Sequence, residues 1–210
     1  MTKKLELDWP DITFLTLSPI AAFLGVGFYM YHNGLHAGDL VSFLFMLLTS
    51  GVAITAGYHR YYSHRTYDCL PIVQTFYLVF GAATLQHSVL QWASNHRYHH
   101  RYVDKELDPY NIMKGFFWAH MGWIFYKYES DRSMDSIPDL KKDKLVLWQH
   151  RYYLLIALIT SFALPTLIGF MFGRPWGGFL WGGLLRVVLL QHSTFLINSA
   201  AHFFGSQPYS

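Results

Sequence analysis

Long runs without charge set the pattern of this chain. Ile12–Tyr31, Leu40–Tyr58 and Tyr152–Gly173 contain no Asp, Glu, Lys, Arg or His. A fourth run, Pro175–Leu185, passes one charge at Arg186 and continues into Val187–Leu190 and beyond. A bilayer core of ~30 Å takes ~20 helical residues. The pattern therefore predicts an all-α, integral membrane bundle of four transmembrane helices, over about 12–31, 40–58, 152–173 and 177–197. They form two hairpins, turning at His32–Asp39 and at Gly173–Gly178, where Gly and Pro punctuate. A fifth apolar stretch, Cys69–Asn95, is interrupted by Pro71, Gly81, three glutamines and His87. It is expected to lie in the interface or against the bundle, within a cytoplasmic helical cap over 59–151.

Composition sharpens the picture. Only 14% of residues are charged and 52% are hydrophobic, which excludes disorder. Cys69 is the one cysteine, so no disulfide framework and no cysteine-held zinc or iron–sulfur cluster can form within the chain. A net charge of +3 is too small to point to nucleic acid. Of 16 Lys and Arg, two lie in the N-terminal tail and twelve between Arg60 and Arg151. The positive-inside rule then places both termini and the central block in the cytoplasm. Short tails lean towards a bacterial inner membrane over the endoplasmic reticulum.

Twelve histidines in so apolar a chain are the anomaly. One cluster, Tyr58-His59-Arg60-Tyr61-Tyr62-Ser63-His64, stands at the cytoplasmic end of the second helix. The next is Asn95-His96-Arg97-Tyr98-His99-His100, and the last is Asn198-Ser199-Ala200-Ala201-His202, at the cytoplasmic end of the fourth helix. His96, His99 and His100 stand at i, i+3 and i+4, on one helical face. Asn198 and His202 are one turn apart. His59 and His64 are i, i+5, about 140° apart on a regular helix. They share a face only if the helix ends or bulges between them; otherwise each points at a different ion. Imidazole suits zinc, copper, iron and nickel. Asp68, Asp104, Glu106 and Asp108 are candidates to accept a ligand's outer N–H. His32, His36, His87, His120, His150 and His192 read as satisfied core or interface residues.

The text at these clusters resembles the membrane-bound acyl-CoA (stearoyl-type, delta-9-like) fatty acid desaturases. The matching segments are Thr55–Arg60, His64–Tyr67, Trp92 with His96–His100, Asp108-Pro109, Lys114–His120, Gly122-Trp123 and Asn198–His202. The resemblance covers nearly the whole chain, as a single desaturase domain over 1–210. It implies two iron ions held by histidine, with O2 as co-substrate, inserting a cis double bond into a saturated acyl chain. It implies His59, His64, His96, His99, His100 and His202 as ligands, with Asn198 holding a metal-bound water. No catalytic residues are implied beyond the metal ligands. It also implies a bent apolar tunnel shaped by Gln86, Trp92 and Thr194, closed near Leu47 and Gly51, with Lys127 near the CoA headgroup. Leu47 stands where mammalian relatives carry a bulkier tyrosine, and Ser94-Asn95 where they carry an Arg-Asp pair.

The implied partners are a long-chain fatty acyl-CoA or other acyl thioester or lipid, the membrane lipid, and a separate electron donor of ferredoxin, rubredoxin or cytochrome b5 type. The family carries a third H-x2-H-H box downstream of the N-S-A-A-H segment. The 210 residues do not contain it, so a C-terminally incomplete domain, weak metal binding and little turnover are the expectations. Rival readings are a related diiron hydroxylase, ketolase or alkane oxidase, a metal transporter, and a bis-histidine haem carrier. A transporter needs ionisable ligands near the bilayer midplane, and neither of the last two predicts the histidine triplet on one face.

Overall fold

A computed structural model describes residues 6–127 and 134–204. Among these described residues, four helices are long and apolar enough to cross a membrane: α1 (Trp9–Asn33), α2 (Ala37–Ser63), α7 (Tyr153–Met171) and α8 (Pro175–Phe203). Between α2 and α7 lie α3 (Pro71–Ala82), α4 (Val89–Arg101), α5 (Phe116–His120) and α6 (Lys144–Arg151). Large apolar side chains such as Phe23, Leu24, Phe28, Leu48, Leu154 and Phe170 face outward and exposed, as they must where the surrounding solvent is lipid. The chain is a multi-pass membrane protein.

Local chemistry explains where the helices start and turn. Asp8 caps α1, with Pro10 in the first turn, where the missing N–H costs nothing. His36 caps α2 in a capping box, its Nδ1 accepting from Gly38 N at 3.0 Å while Asp39 accepts from His36 N. Gly34 and Gly173 turn the two hairpins at φ 64° and 69°, in the left-handed region open to glycine. Arg174 joins the two turns, donating to Gly34 O at 2.8 Å and to the buried Asp39 at 3.0 Å. The hairpin turns therefore share one end of the bundle, and the histidine-bearing ends of α2 and α8 share the other.

The apolar stretch Cys69–Asn95 does not span. It is two helices, α3 and α4, with a turn over 83–88. At 12 residues and 1.5 Å per residue, α3 is about 18 Å long, short of a bilayer core. The two spanning helices that carry candidate ligands outrun the charge-free windows: α2 continues to Ser63 and α8 to Phe203.

The final eleven residues of α2, Ala53–Ser63, are π-helical. The i→i+5 register leaves carbonyls that regular helix bonds do not close. Side chains take several of them. Tyr67 donates to Ala56 O at 2.7 Å, Ser63 to Tyr58 O at 2.7 Å, and Arg97 to Tyr62 O at 2.6 Å and Ser63 O at 2.9 Å. Arg97 is itself held by a fork of bonds to both oxygens of Asp139, at 2.7 and 3.0 Å. The core lies directly beneath, where Ala53, Ile54, Tyr58 and Tyr62 of α2 meet Tyr77 and Leu78 of α3, Val89 and Ala93 of α4, and Ile137.

Two glycines of α2 differ sharply in what surrounds them. A Cβ at Gly57 would stand 2.6 Å from Tyr77 Cβ, whereas one at Gly51 would meet only Leu190 Cδ1 at 3.9 Å. Overpacking at the first site costs about 1–3 kcal/mol. Gly57→Ala should thus lower the thermal midpoint in detergent, while Gly51→Ala should leave it unchanged or raise it slightly, since Ala is the better helix former. Equal midpoints for the two variants would contradict this packing.

Candidate metal centre

The π-helical register decides the fate of His59 and His64. Residues five apart stack above one another when helix bonds close i→i+5. His64 N donates to His59 O at 3.0 Å, the last closure of that kind. Their Nε2 atoms consequently stand 3.1 Å apart. The bulge that a shared face requires is present.

α4 supplies the facing half. Ser88 caps it, accepting from Gln91 N, and it presents His96 and His100 one turn apart. His96 Nε2 lies 3.0 Å from His64 Nε2 and 3.1 Å from His100 Nε2. Ligand atoms of His59, His64, His96 and His100 all fall within 4.8 Å of one another. One ring nitrogen carries either a proton or a lone pair, so His96 Nε2 cannot bond ideally to two others at once. Adjacent ligands on one ion with bonds of about 2.0–2.1 Å stand about 3 Å apart, so the donor set fits a metal of the imidazole-binding group. Trp92 stacks on His96 at 4.8 Å and 25°, fixing its ring plane.

His99 turns away from this group. Its Nδ1 faces both oxygens of Asp108 at 2.9 Å, and the carboxylate also accepts from Asp104 N and Tyr110 N. The arrangement presents Nε2 as the free ligand atom. His202, from the end of α8, lies beside it at 5.2 Å between ring centroids, with its Nδ1 3.3 Å from Asp104 Oδ1. The six histidines thus fall into a group of four and a neighbouring pair. Among the described residues, neither Asp68 nor Glu106 bonds to a histidine.

Electrostatics favour neutral imidazole. Burial, then His100, pushes His96 down to about 2. Burial, then His64, pushes His100 down to about 4. Burial, then the Arg97 guanidinium, lowers His64. At neutral pH these rings offer lone pairs without first losing a proton.

A cavity of about 150 Å³ opens beside the centre. His59, His96 and Asn198 stand in its wall, with Phe14, Leu15, Ile54, Leu85, Phe195 and Ile197 supplying apolar surface. Gln86, Trp92 and Thr194 line it as one bonded unit: Gln86 donates to Thr194 Oγ1 at 3.2 Å and accepts from Trp92 Nε1 at 3.4 Å. Leu47, Gly51 and Lys127 are not in this wall. Lys127 is exposed and pairs with Glu6 at 3.5 Å.

Of the histidines read as structural, His36 caps α2, and His150 Nδ1 lies 2.7 Å from Ser88 Oγ. His87 pairs with Asp11 at 3.5 Å in the cavity wall. His120 and His192 lie 3.0 Å apart, with Ser199 also on His120. Sequence reasoning missed the role of Arg97, although its place inside the second cluster was a signal. It also missed Gln191, which no motif marks.

Comparison with known proteins shows what the chain is similar to. The family model described as fatty acid desaturase matches residues 39–210. The chain is 38% identical over 209 residues to acyl-CoA desaturase 1 of Saccharomyces cerevisiae, covering 97% of this chain and 40% of that protein. It is 34% identical over 227 residues to stearoyl-CoA desaturase 4 of Mus musculus, covering 98% and 59%. Against the delta(9)-fatty-acid desaturase fat-6 of Caenorhabditis elegans, identity is 33% over 214 residues, covering 98% and 62%. The chain therefore spans between 40% and 62% of the length of these relatives.

Two outcomes follow from the geometry. Asp108→Asn should weaken divalent metal binding about 10–100-fold in chelator competition, because His99 loses the carboxylate that orients it; unchanged affinity would contradict that role. His96 and His100 have folded values below the unfolded value of about 6.5, so the unfolded chain takes up protons first as pH falls. The metal-free protein should lose thermal stability steadily from about pH 7 to about pH 5. A flat profile across that window would count against neutral, buried rings.

Proposed function

This chain belongs to the fatty acid desaturase family, and on that premise we propose that it inserts a cis double bond into a saturated, long-chain fatty acyl group carried on coenzyme A, using O2 and two histidine-held iron ions. The observation that carries the reading is a shared wall: His59 and His96 of the metal-binding group line the same apolar cavity as Gln86, Trp92 and Thr194. A methylene C–H has no acidic proton, so acid–base side chains alone cannot break it. When bound, the two irons supply the activation of dioxygen and the two-electron oxidation that removes hydrogens from adjacent methylenes.

The chain's own residues bind and orient. His59, His64, His96 and His100 would hold one ion. His99 and His202 would contribute to a second, steadied by Asp108 and Asp104. Asn198, an uncharged amide in the cavity wall, would hold a metal-bound water. The unit of Gln86, Trp92 and Thr194 would fix the path of the acyl chain past His96, turning a loosely threaded tail into a positioned one. Leu47 and Gly51 would close the tunnel's far end. The exposed Lys127 ammonium would attract the phosphates of the CoA headgroup. The electrons would come from a separate ferredoxin, rubredoxin or cytochrome b5 type protein. Both chain ends would lie in the cytoplasm. The relatives come from yeast and animals, which favours the endoplasmic reticulum over the bacterial inner membrane.

The test is lipid analysis of cells expressing the chain beside cells expressing a His96→Ala variant. The reading expects a monounsaturated product that needs the intact histidine. A hydroxylated product would mark a hydroxylase, and an unchanged lipid profile would overturn the proposal.

A further inference from the structure

The turn over 83–88 joins α3 to α4 inside the helical assembly, and its backbone groups are answered largely by side chains from other elements. Arg186 of α8 is fully buried and donates to Ala83 O at 2.6 Å, joined there by Ser161 Oγ at 2.9 Å. The guanidinium sits on the C-terminal carbonyl end of α3, where the helix dipole favours a cation. Its other bonds run to Gly182 O at 3.0 Å and Ser161 O at 3.4 Å, the latter a carbonyl that Pro165, lacking an N–H, cannot close. Gln191, one and a half turns further along α8, uses its amide nitrogen twice, on Thr84 O at 3.2 Å and Leu85 O at 3.0 Å. Tyr153 accepts from His87 N at 3.0 Å, and Gln149 from Val89 N at 3.2 Å. Leu85 and His87 sit at φ 53° and 68°, conformations that L side chains adopt only when the surroundings insist.

This turn is also a wall of the cavity, through Leu85, Gln86 and His87. The helix that pins it continues to Thr194, which receives Gln86, then Asn198, then His202 beside His99. Thr194, Asn198 and His202 follow at i+4 steps, so the helix carries the cavity wall and a metal-facing histidine on one rigid rod, about 12 Å apart along its axis.

We infer that Gln191 is a positioning residue that sets which carbons of the acyl chain lie opposite the metal centre, by locking the 84–85 carbonyls to the helix that carries His202. The inference rests on the proposed desaturation. Gln191 itself reaches the cavity wall, but its amide is spent on the turn and it touches no reacting atom. Without its two donors the turn loses the tie at Thr84 and Leu85 and is held to α8 only at its ends, by Arg186 on Ala83 and by Gln86 on Thr194, while the metal-binding histidines keep all of their contacts. The acyl chain then slides against a fixed oxidising centre, and the double bond moves along it.

The experiment is positional analysis of the double bonds made in cells by the wild-type chain, by Gln191→Met, and by Gln191→Asn. Gln191→Met keeps the volume and removes both donors. The expected result is one dominant positional isomer from the wild type and a rise of the minor isomers of about threefold or more in Gln191→Met. That fold-change corresponds to only about 0.7 kcal/mol between competing registers. Gln191→Asn retains the amide on a shorter stem and should shift the ratio in the same direction by less, which keeps the test alive if Gln191→Met does not accumulate. A variant that turns over with an unchanged isomer ratio, whether slower or not, overturns the positioning role alone. A wild-type chain that makes no alkene overturns the proposed function, and this inference with it.

Discussion

The candidate metal centre depends on a change of helical register at the end of α2. Regular α-helix geometry would splay His59 and His64 by about 140°. The π-helical stretch Ala53–Ser63 stacks them instead, with Nε2 atoms 3.1 Å apart. A π segment is rare because it gives up helix bonds of good geometry, and it persists where surrounding groups over-determine it. Here they do. Tyr67, Ser63 and Arg97 take the carbonyls of Ala56, Tyr58, Tyr62 and Ser63, and Gly57 lets α3 approach closely enough to bury Tyr58 and Tyr77.

Arg97 connects this register to the facing helix. It lies next to His96, reaches across to α2, and is held in turn by Asp139. Arg65, one residue after His64, pairs with the same carboxylate. Burial opposes ionisation of Asp139, but the hydrogen bonds from Arg97 and Arg65 outweigh it and hold the carboxyl well below the usual carboxylate range. The ion cluster therefore clamps the two histidine-bearing helix ends together at the edge of the metal group. The centre is built from backbone geometry and a charged brace, with carboxylates confined to the outer nitrogens of His99 and His202.

Much of this was legible in the sequence because the signals were long or periodic. Charge-free runs located four spanning helices, and Cys69–Asn95 does not read as a fifth because a span there would carry the later basic block across the membrane, with Pro71, Gly81, three glutamines and His87 also weakening it. The spacing of His96, His99 and His100 gave a shared face, although the structure divides it: His99 faces Asp108 while its neighbours face α2. What periodicity cannot carry is an exception to itself. The i, i+5 spacing raised the question of a bulge without answering it, because the answer depends on Tyr67, just past the helix end, and on Arg97 of the facing helix, which satisfy the displaced carbonyls. The turn over 83–88 was equally hidden. Its conformation is imposed by Arg186, Gln191, Tyr153 and Gln149, each from a helix that reads as ordinary apolar or amphipathic text.

If the bulged end of α2 serves as proposed, it delivers His59 and His64 to the same ion as His96 and His100. Determining the structure of the metal-loaded protein at a resolution that shows ligand bonds tests it most directly. That structure should show His59 and His64 on a common ion, with bonds of about 2.0–2.1 Å to each. Bonds from the two to separate ions, or a regular α-helical path through Ala53–Ser63 with the rings turned apart, would contradict it.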